Sequence, residues 1–361
     1  MIVLHTESST GWGGQENRIL QEAQVLRSLG ARVLFLGQPG ARLLKRAQDV
    51  GFDVFSVWMR SSFDFSAIYR IREILGRIPV NIVNTHSGRD SLLAGLAGQW
   101  MRRLRIVRTR HLILPISSKL SYNTLPHHVV TVSQAVKRYL VSAGVSEAKI
   151  TAIPTGIDPS VFDPTRYPGD IRQELGLAPS TPLVGTVAIL RFKKGHRTLL
   201  DAVPLVLKAA PDAHFVFAGD GPQSEELRML IASKRLGDRV HLLGLRHDVP
   251  NVLKSLDLFV LPTLQEALGT ALLEAQAMGV PVIGTKVGGV PEALSEGETG
   301  LLVPPQDAPA LANSIGALLQ NPARRSRMAA AARPWVLARY TNAVMGKEMH
   351  SLYLKLLERA G

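Results

Sequence analysis

Short apolar runs rich in β-branched residues alternate with segments of helical period along nearly the whole chain. This alternation predicts parallel sheets covered by helices, since successive parallel strands need a crossover long enough to hold a helix. The first run, residues 2–6, leads through Gly11-Trp-Gly-Gly14 into a helix predicted from about Gln15 to Gly30, where the glycine supplies the left-handed residue that a helix C-cap prefers. Further strands are predicted at 32–36, 52–57, 80–84, 106–109, 129–132 and 150–153. The rhythm breaks at Pro154-Thr-Gly-Ile-Asp-Pro-Ser-Val-Phe-Asp-Pro164, which packs three prolines into eleven residues and reads as a linker.

A second series then follows, with strands predicted at 183–187, 214–218, 240–242, 258–261, 280–283 and 300–303. Residues 310–361 are helical in pattern, with breaks expected at Asn321-Pro322 and Arg333-Pro334. The two halves are alike in architecture without a literal sequence repeat. The expected organisation is an N-terminal α/β domain over 1–160, a second over 161–340 and a terminal helix over 341–361.

Composition supports this division. The chain has 361 residues, 46% of them hydrophobic, enough for two cores. It has no cysteine, which excludes disulfides, thiolate metal sites and a cysteine nucleophile, and fits a reducing cytoplasm. The opening Met1-Ile-Val-Leu-His-Thr-Glu carries no basic leader and reads as a buried strand rather than a signal segment. No stretch approaches the ~18 uncharged apolar residues that a spanning helix needs, so a soluble or peripheral protein is expected.

Forty-two Lys and Arg against 29 Asp and Glu give a formal charge of +13, which calls for an anionic partner. Arg102, Arg103, Arg105, Arg108 and Arg110 crowd together ahead of the apolar 112–116. Two readings stand side by side: a helix end followed by a strand with a solvated face, or a patch for an anionic membrane surface.

In open parallel sheets ligands bind beyond the carboxyl ends of the strands, so the loops after strands carry the chemistry. Gly11, Gly13 and Gly14 form one such loop and let backbone amides approach an anion at the next helix start. Their spacing is not the Gly-x-Gly-x-x-Gly of dinucleotide sites, and no acidic residue follows the second strand. His86 ends another strand; it either bonds to nearby backbone or orients a polar substrate and exchanges a proton near neutral pH. In the second half, Arg191-Phe-Lys-Lys-Gly195 opens a helix with three cations, which suits a diphosphate but also describes a solvated turn. Downstream, Glu266 and Glu274 are separated by seven residues around Leu268, Gly269 and Thr270, so carboxylates for hydroxyls and free helix-start amides for phosphate lie together.

At these residues the sequence resembles glycosyltransferase family four, the large retaining GT-B family that includes bacterial lipopolysaccharide, capsule and sucrose-synthesis enzymes. The pattern Glu, seven residues, Glu, Ala-x-Ala-x-Gly-x-Pro appears as Glu266 to Pro281. Gly288-Gly-Val-Pro-Glu292, Gly297-Glu-Thr-Gly300-Leu-Leu-Val-Pro304, Phe217-Ala-Gly-Asp-Gly-Pro222 and Ile153-Pro-Thr-Gly-Ile-Asp158 also look like that family, so the resemblance covers essentially the whole chain. It implies a GT-B fold of two Rossmann-like domains facing a cleft, with a C-terminal helix crossing back.

It further implies that Glu266 contacts the transferred sugar, that Leu268, Gly269 and Thr270 help hold sugar and phosphate through backbone amides, that Glu274 binds the ribose and that Lys194 binds the diphosphate. Gly13 and Gly14 would approach the donor phosphate or the acceptor, and His86 matches the family's active-site histidine. Where the family usually has an arginine this chain has Ile189, and Arg191 stands in for it; Leu268 replaces a phenylalanine and Thr155 an asparagine.

The expectation is a retaining, metal-independent transferase that uses no cofactor beyond its nucleotide-diphosphate-sugar donor. Its acceptor would be a glycan or glycolipid, such as lipopolysaccharide core or capsule, and it would sit in the cytoplasm or peripherally on the inner membrane face through Arg102, Arg103, Arg105 and Arg108. Rival readings are an inactive GT-B binding protein, a GT-B epimerase or phosphorylase, and a nucleic-acid-binding protein, for which the 6% of aromatics form no platform.

Overall fold

A computed structural model describes residues 1–116 and 119–359. The chain divides into two compact units, one formed by residues 1–156 together with the segment that begins at Asn342, the other by Ile157–Thr341.

The first unit is built on seven parallel strands: β1 (Ile2–Glu7), β2 (Arg32–Gly37), β3 (Asp53–Ser56), β4 (Ile82–Thr85), β5 (Arg105–Arg110), β6 (His128–Thr131) and β7 (Ile150–Ala152), in the order β3-β2-β1-β4-β5-β6-β7. The order reverses at β1 and β4, whose register pairs His5 with Asn84 and Thr6 with Thr85. The loops leaving these two strands therefore open side by side at the switch point where ligands bind in such sheets. Both strands are buried along nearly their whole length, as the continuous apolar runs require.

The helix Gly14–Ser28 follows β1 and buries Ile19, Ala23 and Leu26. Onto the same core the helix Asn342–Glu358 lays Met345, Met349, Tyr353 and Leu356. Gly346 permits this close packing: a Cβ there would lie 2.3 Å from Cγ1 of Val25.

The second unit holds six parallel strands, β8 (Leu183–Val187), β9 (His214–Ala218), β10 (Val240–Gly244), β11 (Leu258–Leu261), β12 (Val282–Thr285) and β13 (Gly300–Val303), ordered β10-β9-β8-β11-β12-β13. Its reversal falls between β8 and β11, so the loops after those strands are the neighbours. A core of Val184, Leu199, Phe215, Phe217, Leu258 and Ile315 joins the sheet to its helices.

Two expectations are corrected here. The helix Pro322–Arg339 runs through Pro334, and the chain breaks instead at Tyr340 and Thr341. Arg333 Nη1 donates to the carbonyls of Phe162 and Ala277, so tertiary contacts hold this turn although proline removes one backbone donor. Arg108, expected on a membrane-facing patch, lies inside β5 and is 4% exposed. Its guanidinium stacks 3.7 Å over the Tyr122 ring and donates through Nη1 to the Ser121 carbonyl and hydroxyl, which partly offsets the burial of this cation, while Nε has no hydrogen-bond partner among the described residues. Arg105 is half-buried and donates to the carbonyls of Leu356, Arg102 and Leu104; only Arg102 and Arg103 of that set are exposed. No helix precedes β5 directly, and residues 112–116 are not a strand.

Candidate active site

In the second unit, Glu266, Lys194 and their neighbours are gathered by loop-to-loop stitching. The loop after β8 ends in a short turn, Phe192–Lys194, and the Lys193 carbonyl accepts from the Leu264 amide at 2.7 Å and from Thr263 Oγ1 at 2.8 Å. Gly195 makes this approach possible. Its φ is +68°, and a Cβ would sit 1.8 Å from the Pro262 carbonyl oxygen. Lys194 Nζ then meets Glu266 Oε2 at 2.5 Å, with both side chains about four-fifths buried.

The loop after β12 grips the same segment from the other side. The Gly289 amide donates to the Glu266 carbonyl at 3.1 Å, and Gly288, at φ +50°, leaves room for that carbonyl where a Cβ would lie 1.9 Å away.

Gly269 precedes the helix Thr270–Ala277, whose opening amides have no intrahelical acceptors. Leu268 is 2% exposed, so its side chain belongs to the core and is not available to a ligand. Thr270 is half-buried at the helix start. Glu274 lies one turn further on; desolvation by the surrounding protein pushes its carboxyl up to about 7, against the pull of the Lys194 charge. Arg191 is exposed at the start of the Phe192–Lys194 turn and Ile189 is half exposed. The structure thus brings Lys194, Glu266, Gly269, Thr270 and Glu274 together and sets Arg191 on their rim.

In the first unit the glycine loop leads into the helix Gly14–Ser28. Neither Gly13 nor Gly14 has a positive φ, and a Cβ at Gly14 would meet nothing within 4 Å. These glycines keep open space before a helix N-terminus rather than shaping a turn. Glu16 reaches back to the Gly13 amide at 2.8 Å.

His86 lies beyond β4, is 4% exposed, and has both ring nitrogens engaged: Nε2 lies 2.9 Å from His5 Nδ1 and Nδ1 lies 3.0 Å from His111 Nε2. Burial, reinforced by both neighbouring rings, holds its pKa well below the usual imidazole range, so it stays neutral near pH 7 and does not exchange a proton there. His111, just past β5, ends the row on one side and His5 on the other, each with a second nitrogen that makes no hydrogen bond to the described residues.

The sequence reasoning missed His5, His111 and Glu7. Glu7 ends β1 and His111 lies just past β5, so strand-end position was a signal for those two, whereas His5 lies inside β1 and carried none. Glu7 is 1% exposed; its carboxylate accepts from the Ser9 amide at 2.7 Å and from the Gln15 side chain. Burial and the nearby Asp90 push its pKa up to about 8. Asp90 accepts from Thr6 Oγ1 and from the amides of His86 and Ser87, all at 2.9 Å, and fixes the start of the helix Gly88–Ala97. Thr155, the linker departure, accepts from the buried Arg18 at 3.0 Å.

Elsewhere on the first unit, four aromatics stand exposed in one short segment: Trp58, Phe63, Phe65 and Tyr69, the last three 70% or more exposed. Arg60 and Arg70 lie among them and are also exposed.

Two Rossmann-like parallel-sheet units, one ending its switch-point loops in a lysine, two glutamates and a helix start, define the GT-B class of glycosyltransferase. Residues 12–161 match the family model described as Glycosyltransferase Family 4, and residues 169–335 the one described as Glycosyl transferases group 1. The lipopolysaccharide core biosynthesis mannosyltransferase LpsB of Rhizobium meliloti is 30% identical over 88% of this chain and 86% of its own length. The chain belongs to this glycosyltransferase family.

Three further curated glycosyltransferases are matched over 49%, 60% and 69% of their lengths. Among solved structures, a glycosyltransferase from Rickettsia africae superposes with a TM-score of 0.91 at 25% identity over 99% of this chain and 98% of that one. HepE of Anabaena, solved with UDP, superposes with a TM-score of 0.87 at 21% identity over 98% and 100%.

Proposed function

We propose that this protein transfers a sugar, with retention of anomeric configuration and without a metal ion, from a nucleotide-diphosphate-sugar to a hydroxyl of a lipid-linked surface glycan. The observation that carries the donor half is the Lys194–Glu266 pair held beside the opening amides of the helix Thr270–Ala277, with Glu274 one turn on. Breaking a sugar–phosphate bond places charge on the departing diphosphate. Lys194, Arg191 and the helix-start amides supply fixed positive charge for it. Glu266 and Glu274 accept hydroxyl hydrogen bonds from the sugar and the ribose. The acceptor hydroxyl attacks from the face the phosphate leaves, and that phosphate takes its proton.

The first unit, by this reading, receives the acceptor. His86 acts there through His111, since its own nitrogens are taken. The acceptor class is supported by LpsB, whose name assigns it to lipopolysaccharide core synthesis. A bilayer-borne acceptor also suits the exposed Trp58, Phe63, Phe65 and Tyr69 with Arg60 and Arg70, because aromatic rings and cations favour the interface of an anionic membrane. This segment replaces the Arg102–Arg108 stretch as the membrane-facing surface, on the cytoplasmic side. No helix among the described residues is long and apolar enough to cross a membrane.

Thermal-shift screening against UDP, GDP, ADP and their common sugars tests the donor half. One nucleotide should raise the melting temperature by linkage, and Glu274→Ala should abolish that rise. No shift with any of them, or an equal shift in the variant, overturns the assignment.

A further inference from the structure

His5, His86 and His111 form one continuous hydrogen-bonded row across β1, β4 and β5, with ring centroids 5.2 Å apart at each contact. At its inner end His5 Nε2 has no hydrogen-bond partner and lies 3.9 Å from Glu22 Oε1. At its outer end His111 Nδ1 makes no hydrogen bond to the described residues, and His111 is 8% exposed where His5 is 1% exposed.

All three rings are neutral in the working range. Burial and Arg18 lower His5 to about 3, and burial holds His86 and His111 well below the usual value. A neutral imidazole carries one N–H and one lone pair. A hydrogen bond between two such rings has a donor on one side only, so the choice at one contact dictates the next. Only two states of the row are self-consistent. Either every proton sits on Nε2 and the row ends in a lone pair at His111 Nδ1, or every proton sits on Nδ1 and it ends in an N–H.

The surroundings of Glu22 choose between them. Tyr353 OH donates to Oε1 at 2.9 Å, Asn84 Nδ2 approaches Oε1 at 3.3 Å, and Arg18 Nε lies 4.0 Å from Oε2. Asn84 and Arg18 turn N–H groups toward this carboxyl, and the Tyr353 hydroxyl, which accepts from Asn84 Nδ2 at 2.8 Å, turns its proton to Oε1, so three donors favour the ionised form. Burial raises the Glu22 carboxyl above its usual range, but Arg18, which keeps its charge throughout, and the hydrogen bonds from Tyr353 and Asn84 pull it back, and the ionised form balances that buried cation. A negative oxygen facing His5 Nε2 favours an N–H there over a lone pair. The other charged groups near the row do not reverse this: Arg110 beside His111 opposes a second proton on that ring, Asp90 is engaged with the His86 backbone amide, and Glu348 acts on Arg18.

We propose that Glu22, acting through His5 and His86 as positioning residues, locks His111 in its Nε2–H tautomer, so that the row presents a lone pair at Nδ1. A ligand group meeting that nitrogen must donate: a hydroxyl fits, and a phosphate oxygen does not. Which hydroxyl it is rests on the transferase reading; the tautomer does not.

Long-range proton–nitrogen correlation spectra of the ligand-free protein, labelled with nitrogen-15 histidine and assigned by single His→Gln variants, read the tautomers directly. The expected result near pH 7 is Nε2–H for all three rings. A protonated Nδ1 on His111 overturns the proposal, whatever the activity of the enzyme. Glu22→Gln and His5→Phe should each turn the single His111 tautomer into a mixture. An unchanged His111 signature in whichever variant folds overturns the role of Glu22. If the tautomer is as expected but no donor binds, the transferase reading alone fails.

Discussion

The Glu7 carboxyl titrates near 8 in the fold, against 4.5 when exposed. Between those values the folded state holds a proton that the unfolded chain has released, so stability falls as pH rises through the window and levels off above about 8. The slope is at most about 1.4 kcal/mol per pH unit. Glu7→Gln removes this dependence. Urea midpoints of the variant relative to the unmodified protein should rise between about pH 5 and pH 8; parallel curves would show that Glu7 is already ionised. Gly195 offers a second residue-scale test. Gly195→Ala adds strain at φ +68° worth about 1–3 kcal/mol and forces a Cβ against the Pro262 carbonyl. It should lower the melting temperature and remove the nucleotide-induced shift, whereas an unchanged nucleotide response would mean that the stitching of these loops does not shape the donor site.

At the scale of elements, what was legible depended on how far apart in sequence the partners lie. Glu266, Gly269, Thr270 and Glu274 fall in one loop and one helix, so their closeness was legible from spacing, while the roles expected of them came from the family resemblance. The histidine row is assembled by strand adjacency: His5 and His86 are 81 residues apart and His86 and His111 are 25 apart. No local pattern joins them, and reading His86 alone missed that its nitrogens were spoken for. Arg108 misled for the opposite reason. A run of arginines reads as solvated, but alternation along β5 turned one of them inward onto Tyr122. Pro334 reads as a stop, yet Arg333 ties that turn to Phe162 and Ala277. The exposed aromatics beside the helix Phe65–Arg77 carry a prediction of their own. Flotation with vesicles containing anionic lipid should recover the protein, and Phe63→Ser with Phe65→Ser should reduce recovery several-fold without changing the melting temperature. Equal recovery would point away from this surface.

At the scale of the whole molecule, each unit owes its core to a different stretch of chain. The second is continuous, from Ile157 to Thr341, while the first is closed by the helix Asn342–Glu358. Met345, Met349, Tyr353 and Leu356 are at most 7% exposed in its core. Burying side chains of this kind stabilises by about 1.5–3 kcal/mol each, so losing four costs as much as a typical domain's net stability. A chain ending at Thr341 should therefore lose hydrogen-exchange protection in β1 and β4 while β8 and β11 keep theirs. Retained protection in both units would mean that the helix Asn342–Glu358 contributes little to the first.

The same closing helix sets an order of events during synthesis. Domains ordinarily fold from the amino terminus as the chain emerges. Here the first unit lacks part of its core around Ile19, Ala23 and Leu26 until residues 342–358 have left the ribosome, after Ile157–Thr341 has been released. The unit that carries the histidine row is thus completed after the one that follows it in sequence, and a ribosome stalled before residue 342 holds a second unit that can fold and a first unit that cannot close.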